Sequence, residues 1–228
     1  MNVLNSIFRK YYIYELIVIF SFLFSLNNIT GKTDEIIVAD GIGYYDYLPS
    51  IFIHRDINRK GNLKSSPVNE RINGLDIYID YKGQILNKYS CGTAILELPF
   101  FYFNKTFNTK GNESGYEKSY QKSVFYAAVF YLFLTLIFIR KLFILYNIRA
   151  SVIFLSQLLL VLGTNTFFYA HFNASFSHIY SLFLISLFLF LAKQYFTTYK
   201  PSFFYLICLV LGLIFLVRQI NFIILFSL

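Results

Sequence analysis

From Ala150 to Ala192 the chain carries no Lys, Arg, Asp or Glu. Few folds accept such a run. A helical bilayer crossing takes about 20 mostly apolar residues, so the stretch is long enough for two. Its one polar knot, HFNASFSH at 171–178, must then be the turn between them. Inside lipid every backbone N–H and C=O has to be satisfied within the segment, which points to α-helices as the crossing elements.

The remaining apolar runs fit the same class. The chain is 57% hydrophobic and 21% aromatic but only 14% charged, against about 25% charged for a soluble domain. The expected fold is an all-α polytopic membrane protein, a single membrane domain with about five complete spans and a partial sixth. Residues 1–10 are short and basic. Spans are expected at 11–28, 119–140, 150–170, 176–193 and 201–218, and the chain stops inside a further apolar run at 221–228. The first span reads as a retained anchor. A cleaved signal peptide is the alternative, but the run is long for one and no A-x-A site follows it.

Residues 29–118 form the one large polar loop. Within it, Ile51–His54 reads as the end of a short interfacial helix. DIYID alternates at period two and YKGQ supplies a turn, so a hairpin is expected there. Thr93–Phe103, TAILELPFFYF, is apolar but too short to cross and is interrupted by Pro99. It reads as a helix dipping into the interface.

Charge sets the orientation. Eleven of the twelve acidic residues lie between Lys32 and Lys118, balanced there by eleven Lys and Arg. The excess of positive charge therefore sits elsewhere, in small clusters beside apolar runs. That pattern excludes a nucleic-acid patch and matches the positive-inside rule. With the N-terminus in the cytoplasm, the inner segments hold Arg9, Lys10, Arg140, Lys141, Arg149, Lys193 and Lys200 and no acidic residue. Glu15, within the first span, is expected to snorkel and pair with Arg9 and Lys10. The protein is expected in the inner (plasma) membrane, multi-pass, with the 29–118 loop outside.

This topology gathers sequence-distant polar residues at one outer level: Asp40 in IIVADGIGYYDYLPSIF, then His171, Asn173, His178 and Ser181, then Arg218 and Asn221. A carboxylate there can act as general base on a hydroxyl. A guanidinium can hold a lipid-linked phosphate in fork geometry. Histidines can bind phosphate or donate a proton, and Tyr44 and Tyr45 can stack on a sugar or line a groove. Glu97, flanked by apolar residues, is a candidate second carboxylate. Each has a plainer reading: Asp40 as a helix cap, Arg218 snorkelling to headgroups, His171 and His178 as solvated interfacial groups on one helix face, the tyrosines as an aromatic belt. No DxD or tight carboxylate cluster occurs. No cofactor is predicted, which leaves room for a divalent ion.

Several stretches resemble a known family. Asp40 with Tyr44, YLPSIFIHRD at 47–56, KYSCGTAILELPFF at 88–101, GTNTFFYA at 163–170, SFSHIYSLFL at 175–184 and RQINFIILF at 218–226 are similar in order and spacing to segments of bacterial membrane glycosyltransferases of the GT-C fold. This is the group of protein O-mannosyltransferase-like and aminoarabinose-transferase-like enzymes. The resemblance implies a large first outer loop with juxtamembrane helices. It also implies a polyprenyl-phosphate-linked sugar as donor, transfer to a hydroxyl acceptor with inversion at the anomeric carbon, Asp40 as the base and Arg218 at the donor phosphate. Membrane lipids are the other expected partners, and no nucleic acid is. The sugar, the acceptor and the oligomeric state stay open. Three positions depart from the family's pattern: Gly41 follows Asp40 where many relatives carry an acid, and Ser90 and Gln219 stand where prolines are common. Relatives are also usually twice as long or more, so the chain reads as an N-terminal portion. A lipid-linked glycan transporter or flippase, or a non-catalytic membrane protein, are the alternatives.

Overall fold

The computed structural model describes Glu15, Ser21 and residues 36–57, 77–82, 84–107 and 114–227. Residues 1–10, nearly all of the span expected at 11–28 and the loop between 58 and 76 lie outside the described residues. The elements in order are α1 (Asp40–Tyr45), α2 (Tyr47–Phe52), β1 (Tyr78–Tyr81), β2 (Gln84–Asn87), α3 (Gly92–Phe107), α4 (Lys118–Leu145), α5 (Ala150–Leu162), α6 (Thr166–His171), α7 (Ser177–Thr198), α8 (Pro201–Val217) and a 3₁₀ segment, Gln219–Ser227.

Among the described residues two helices, α4 and α7, are long and apolar enough to cross a membrane. At 28 and 22 residues they rise about 42 and 33 Å, against a hydrocarbon core of about 30 Å. The shorter α5 and α8 are apolar as well. The expected span at 150–170 is divided, because helix α5 stops at Leu162. There the Gly163 N–H turns back to Leu159 O at 2.7 Å, and Thr164 Oγ1 donates to Leu160 O at 2.6 Å. Such local side-chain bonds compete with the helical ladder. The run at 221–228 is not the start of a sixth α-helix; residues 219–227 wind as 3₁₀ after the extended Arg218.

The expected hairpin is present. β1 and β2 pair antiparallel, with Tyr78 opposite Asn87 and Tyr81 opposite Gln84. Lys82 takes a positive φ of 53° at the turn. Pro99 lies inside the 16-residue α3, where it removes one helical donor.

Aromatic pairs fix how the long helices lie. Tyr131 of α4 meets Tyr180 and Phe183 of α7, and Phe138 meets Phe183 and Phe190. Further along, Lys141 Nζ lies over Phe190 and Lys193 Nζ lies 4.3 Å over Tyr146. Partners advance together along both chains, so α4 and α7 run parallel. Tyr199 then adopts a left-handed φ of 54° and Pro201 opens α8, a pre-formed start for the returning helix. Helix α8 runs back along α7, with Tyr195 by Phe204 at one end and Asn221 by Ser181 at the other. Lys141 and Lys193 thus mark one end of the bundle. His178, Ser181 and Asn221 mark the opposite one.

Helix α8 buries only Val210, Ile214 and Val217 and leaves Phe204, Leu209 and Phe215 exposed. Among apolar surroundings, close packing rather than apolar burial has to hold helices together. Gly92 is one such place: a Cβ there would lie 2.3 Å from the backbone of Leu216 and Val217, so α3 and α8 touch backbone to backbone.

Glu15 does not snorkel as expected. Its carboxylate is buried, 2.6 Å from Arg140 Nη2, and accepts from Gln157 Nε2 at 3.0 Å. Gln157 also donates to Leu136 O at 2.7 Å. The partners come from α4 and α5 because a long cationic stem on a neighbouring helix can reach a carboxylate inside the bundle, and buried charges must be paired.

Candidate functional site

Asp40 is presented by a strained turn. Ala39 has φ 46° and ψ −128°, close to the first central position of a type II′ turn, where glycine is the usual residue. The Gly41 N–H closes the turn on Val38 O at 2.9 Å. A non-glycine residue held there costs about 1–3 kcal/mol, and such strain clusters at functional sites. Asp40 is the first residue of α1 and is exposed.

The surroundings of α1 leave no room for larger residues. A Cβ on Gly41 would sit 1.9 Å from Ser175 Oγ, and one on Gly43 would sit 2.2 Å from the Tyr89 ring. The absence of an acidic residue at position 41 has this local cause. Ser175 Oγ donates to Ile36 O at 3.0 Å and Ile37 N–H donates to Gln121 Oε1 at 2.7 Å. These two bonds seat the segment before α1 on α4 and on the turn before α7.

Tyr89 reaches Asp40 from the other side. Its hydroxyl donates to Asp40 Oδ1 at 2.5 Å. Its own position is fixed several times over: its N–H donates to Asn87 Oδ1 at 2.9 Å, its carbonyl accepts from the Tyr47 hydroxyl at 2.6 Å, and its ring meets Tyr44 edge-on at 4.8 Å. Asn87 Nδ2 in turn donates to Gly43 O at 2.6 Å. Lys88 Nζ lies 5.6 Å from the same ring.

The next residues carry the contact onward to Arg218. Ser90 Oγ donates to Val217 O at 3.0 Å, and Gly92 packs on the same turn of backbone. Arg218 Nη1 approaches His178 Nε2 at 3.5 Å. A guanidinium has donors only, so in this contact Nε2 can only accept; Nδ1 is buried and has no partner among the described residues. The His178 ring stacks on Tyr169 at 3.8 Å and 5°. Asn221 Nδ2 donates to Ser181 Oγ at 2.8 Å. The stretches at 36–47, 88–92, 163–170, 175–184 and 218–226 therefore meet at one end of the bundle.

Of the candidate residues, Asp40, Tyr44, His178, Arg218 and Asn221 belong to this assembly. Three do not. Tyr45 is fully buried; its hydroxyl donates to Gly115 O at 2.7 Å and its ring packs on Phe101 and Tyr116. Burial pushes its phenol well above the ordinary value, with the Glu97 carboxylate adding to the effect. It is a core residue because successive positions on a helix point about 100° apart, so Tyr44 and Tyr45 cannot both face the site. Glu97 is buried too and accepts from the Tyr180 hydroxyl at 2.8 Å. Burial drives its carboxyl well above the usual range, the Tyr180 bond opposing this. It is no second surface carboxylate. His171 is buried against Phe125, Phe167 and Phe172. Helix α6 ends there and α7 begins at Ser177, so the i, i+7 face with His178 does not exist.

Behind the site, the 114–117 loop ties α1 and α2 to α4. Glu117 accepts from Ser114 N and Oγ and from Gly115 N, and Tyr116 donates to Asp46 Oδ1 at 2.8 Å. Partial burial acts to raise the Glu117 carboxyl, but these donors outweigh it and hold it below the usual range.

Sequence reasoning did not pick out Tyr89 or Ala39. Tyr89 stands inside KYSCGT and is only placed beside Asp40 by the fold; Ala39 has no local signal, since its residue type favours the opposite backbone region. No three His, Cys, Asp or Glu among the described residues cluster as metal ligands would. Compared with known protein families, curated proteins and solved structures, the chain has no match in any of the three.

Proposed function

We propose that the protein is a membrane glycosyltransferase of GT-C type, moving a sugar from a polyprenyl-phosphate donor to a hydroxyl acceptor. The observation that carries this reading is the linking of Asp40 to the Arg218 turn, distant in sequence, through Tyr89, Ser90 and Val217, with His178 beside Arg218. Asp40 takes the acceptor's proton. Arg218, with His178 and Asn221 nearby, holds the phosphate of the donor and of the polyprenyl phosphate that leaves. Tyr44 offers a ring face to the sugar. Direct attack on the anomeric carbon gives inversion.

The membrane orientation proposed here puts this end of the bundle outside and Lys141 and Lys193 inside, with the protein multi-pass in the inner membrane and the N-terminus cytoplasmic. The basic end and the opposite, Asp40-bearing end fit the positive-inside rule. Large exposed apolar residues on α5 and α8, such as Leu155, Leu159, Leu209 and Phe215, suit contact with lipid. A transporter would need a polar path through the middle of the helices. Thr135 and Ser186, buried there, instead bond to carbonyls of their own helices.

Binding of undecaprenyl phosphate to the protein in nanodiscs tests the donor half of this reading. Arg218→Ala is expected to weaken binding by about tenfold or more, the loss of a charge-assisted contact. Unchanged binding in that variant would remove Arg218 from the site.

A further inference from the structure

Tyr89 stands out among the aromatic residues for where its hydroxyl goes. Buried tyrosines elsewhere satisfy backbone carbonyls or buried side chains: Tyr131 donates to Leu96 O and Tyr180 to Glu97. Tyr89 is only half-buried, yet its hydroxyl is committed to the exposed Asp40 carboxylate at 2.5 Å. The ring cannot swing away. Gly43 gives up its Cβ space to it, Tyr44 closes one edge, and the backbone is held at both N–H and C=O. On the other side of the same carboxylate, the Ala39 turn fixes the backbone of Asp40 in a conformation that alanine disfavours. Two independent constraints thus converge on one carboxylate.

We propose that Tyr89 is the positioning residue of Asp40, fixing Oδ1 so that Oδ2 is the oxygen that receives the acceptor's proton. The inference rests on the glycosyltransferase reading above. In the transfer step the acceptor O–H bond breaks and its proton goes to Oδ2. The acceptor oxygen bonds to the anomeric carbon, and the bond from that carbon to the phosphate oxygen breaks with its electron pair, releasing polyprenyl phosphate. The proton then passes from Asp40 to water. Among the described residues Oδ2 has no hydrogen-bond partner, so nothing competes with the acceptor there. A carboxylate free to rotate would present either oxygen at varied angles, and small misplacements of a reacting group cost rate steeply.

The test is Tyr89→Phe, which keeps the ring, its packing and its backbone bonds and removes only the hydroxyl. Release of undecaprenyl phosphate from an undecaprenyl-phosphate hexose, with water or an added simple alcohol taking the hexose and giving up the proton, is followed on the full chain in proteoliposomes, with thermal unfolding measured on the same preparations. The expected result is a fall in kcat of about tenfold or more, with KM for the donor and the unfolding midpoint unchanged. An unchanged kcat overturns the proposal, and so does a fall in kcat matched by loss of folded protein, which marks a structural role. Asp40→Asn, run in parallel, separates the two claims. If Asp40→Asn abolishes release while Tyr89→Phe behaves as the parent, positioning fails and the base survives. If Asp40→Asn releases at the parent rate, the underlying reading fails.

Discussion

Arg140 Nη2 lies 2.6 Å from Glu15 Oε1 with both side chains buried, at the end of the bundle opposite Asp40. Gln157 completes the cluster from a third segment. A buried ion pair contributes little by existing, but breaking it strands a charge. Arg140→Ala is therefore expected to cost about 3–5 kcal/mol, seen as a large drop in unfolding midpoint for the purified protein in detergent. The double change Glu15→Leu with Arg140→Met is expected to cost less than either single truncation. A single truncation as stable as the parent contradicts the pairing.

Gly92 sets how close α3 comes to α8, and through Ser90 and Val217 it sets where Arg218 sits. Gly92→Ala places a methyl group 2.3 Å from fixed backbone atoms. Backbone cannot rotate aside as a side chain can, so the helices must separate. Overpacking of this kind costs about 1–3 kcal/mol. The expected outcome is lower stability together with weaker undecaprenyl phosphate binding. Full binding in Gly92→Ala would disconnect the 88–92 segment from Arg218.

Glu97 makes stability depend on pH with a definite sign. Its carboxyl is held protonated by burial above its usual range, so the folded chain binds a proton that the unfolded chain releases. That contribution is complete below the ordinary carboxylate value and is lost as pH rises through the folded value. Glu97→Gln keeps an acceptor for the Tyr180 hydroxyl and has no proton to lose. As pH rises above the ordinary carboxylate range, the parent is expected to lose stability relative to Glu97→Gln. Parallel stability curves from denaturant titrations at each pH would exclude it.

Much of the helical layout was legible in the sequence because apolar run length and local stop signals decide it. Runs around Ser123–Ile139 and Pro201–Val217 mark α4 and α8, and DIYID with YKGQ marks the hairpin. Span 150–170 misled because apolar composition hides the break at Gly163, which depends on Thr164 bonding back to Leu160. The grouping at the candidate site was legible at Asp40, His178 and Arg218, where a polar group stands at the edge of an apolar run. Tyr44 and Tyr45 differ only in which way a six-residue helix faces, and Glu97 and His171 only in what packs over them. Those are tertiary facts. The partner of Glu15 lies far along the chain, beyond any local pattern.

The most direct measurement is Asp40→Asn in the full chain, with undecaprenyl phosphate binding and release from an undecaprenyl-phosphate hexose measured on one preparation. Asparagine keeps an acceptor for the Tyr89 hydroxyl but is no base. Binding close to that of the parent is expected, with release slower by about 10²–10⁴-fold, the usual worth of a general base. Release at the parent rate with asparagine at position 40 would contradict the role of Asp40 as base.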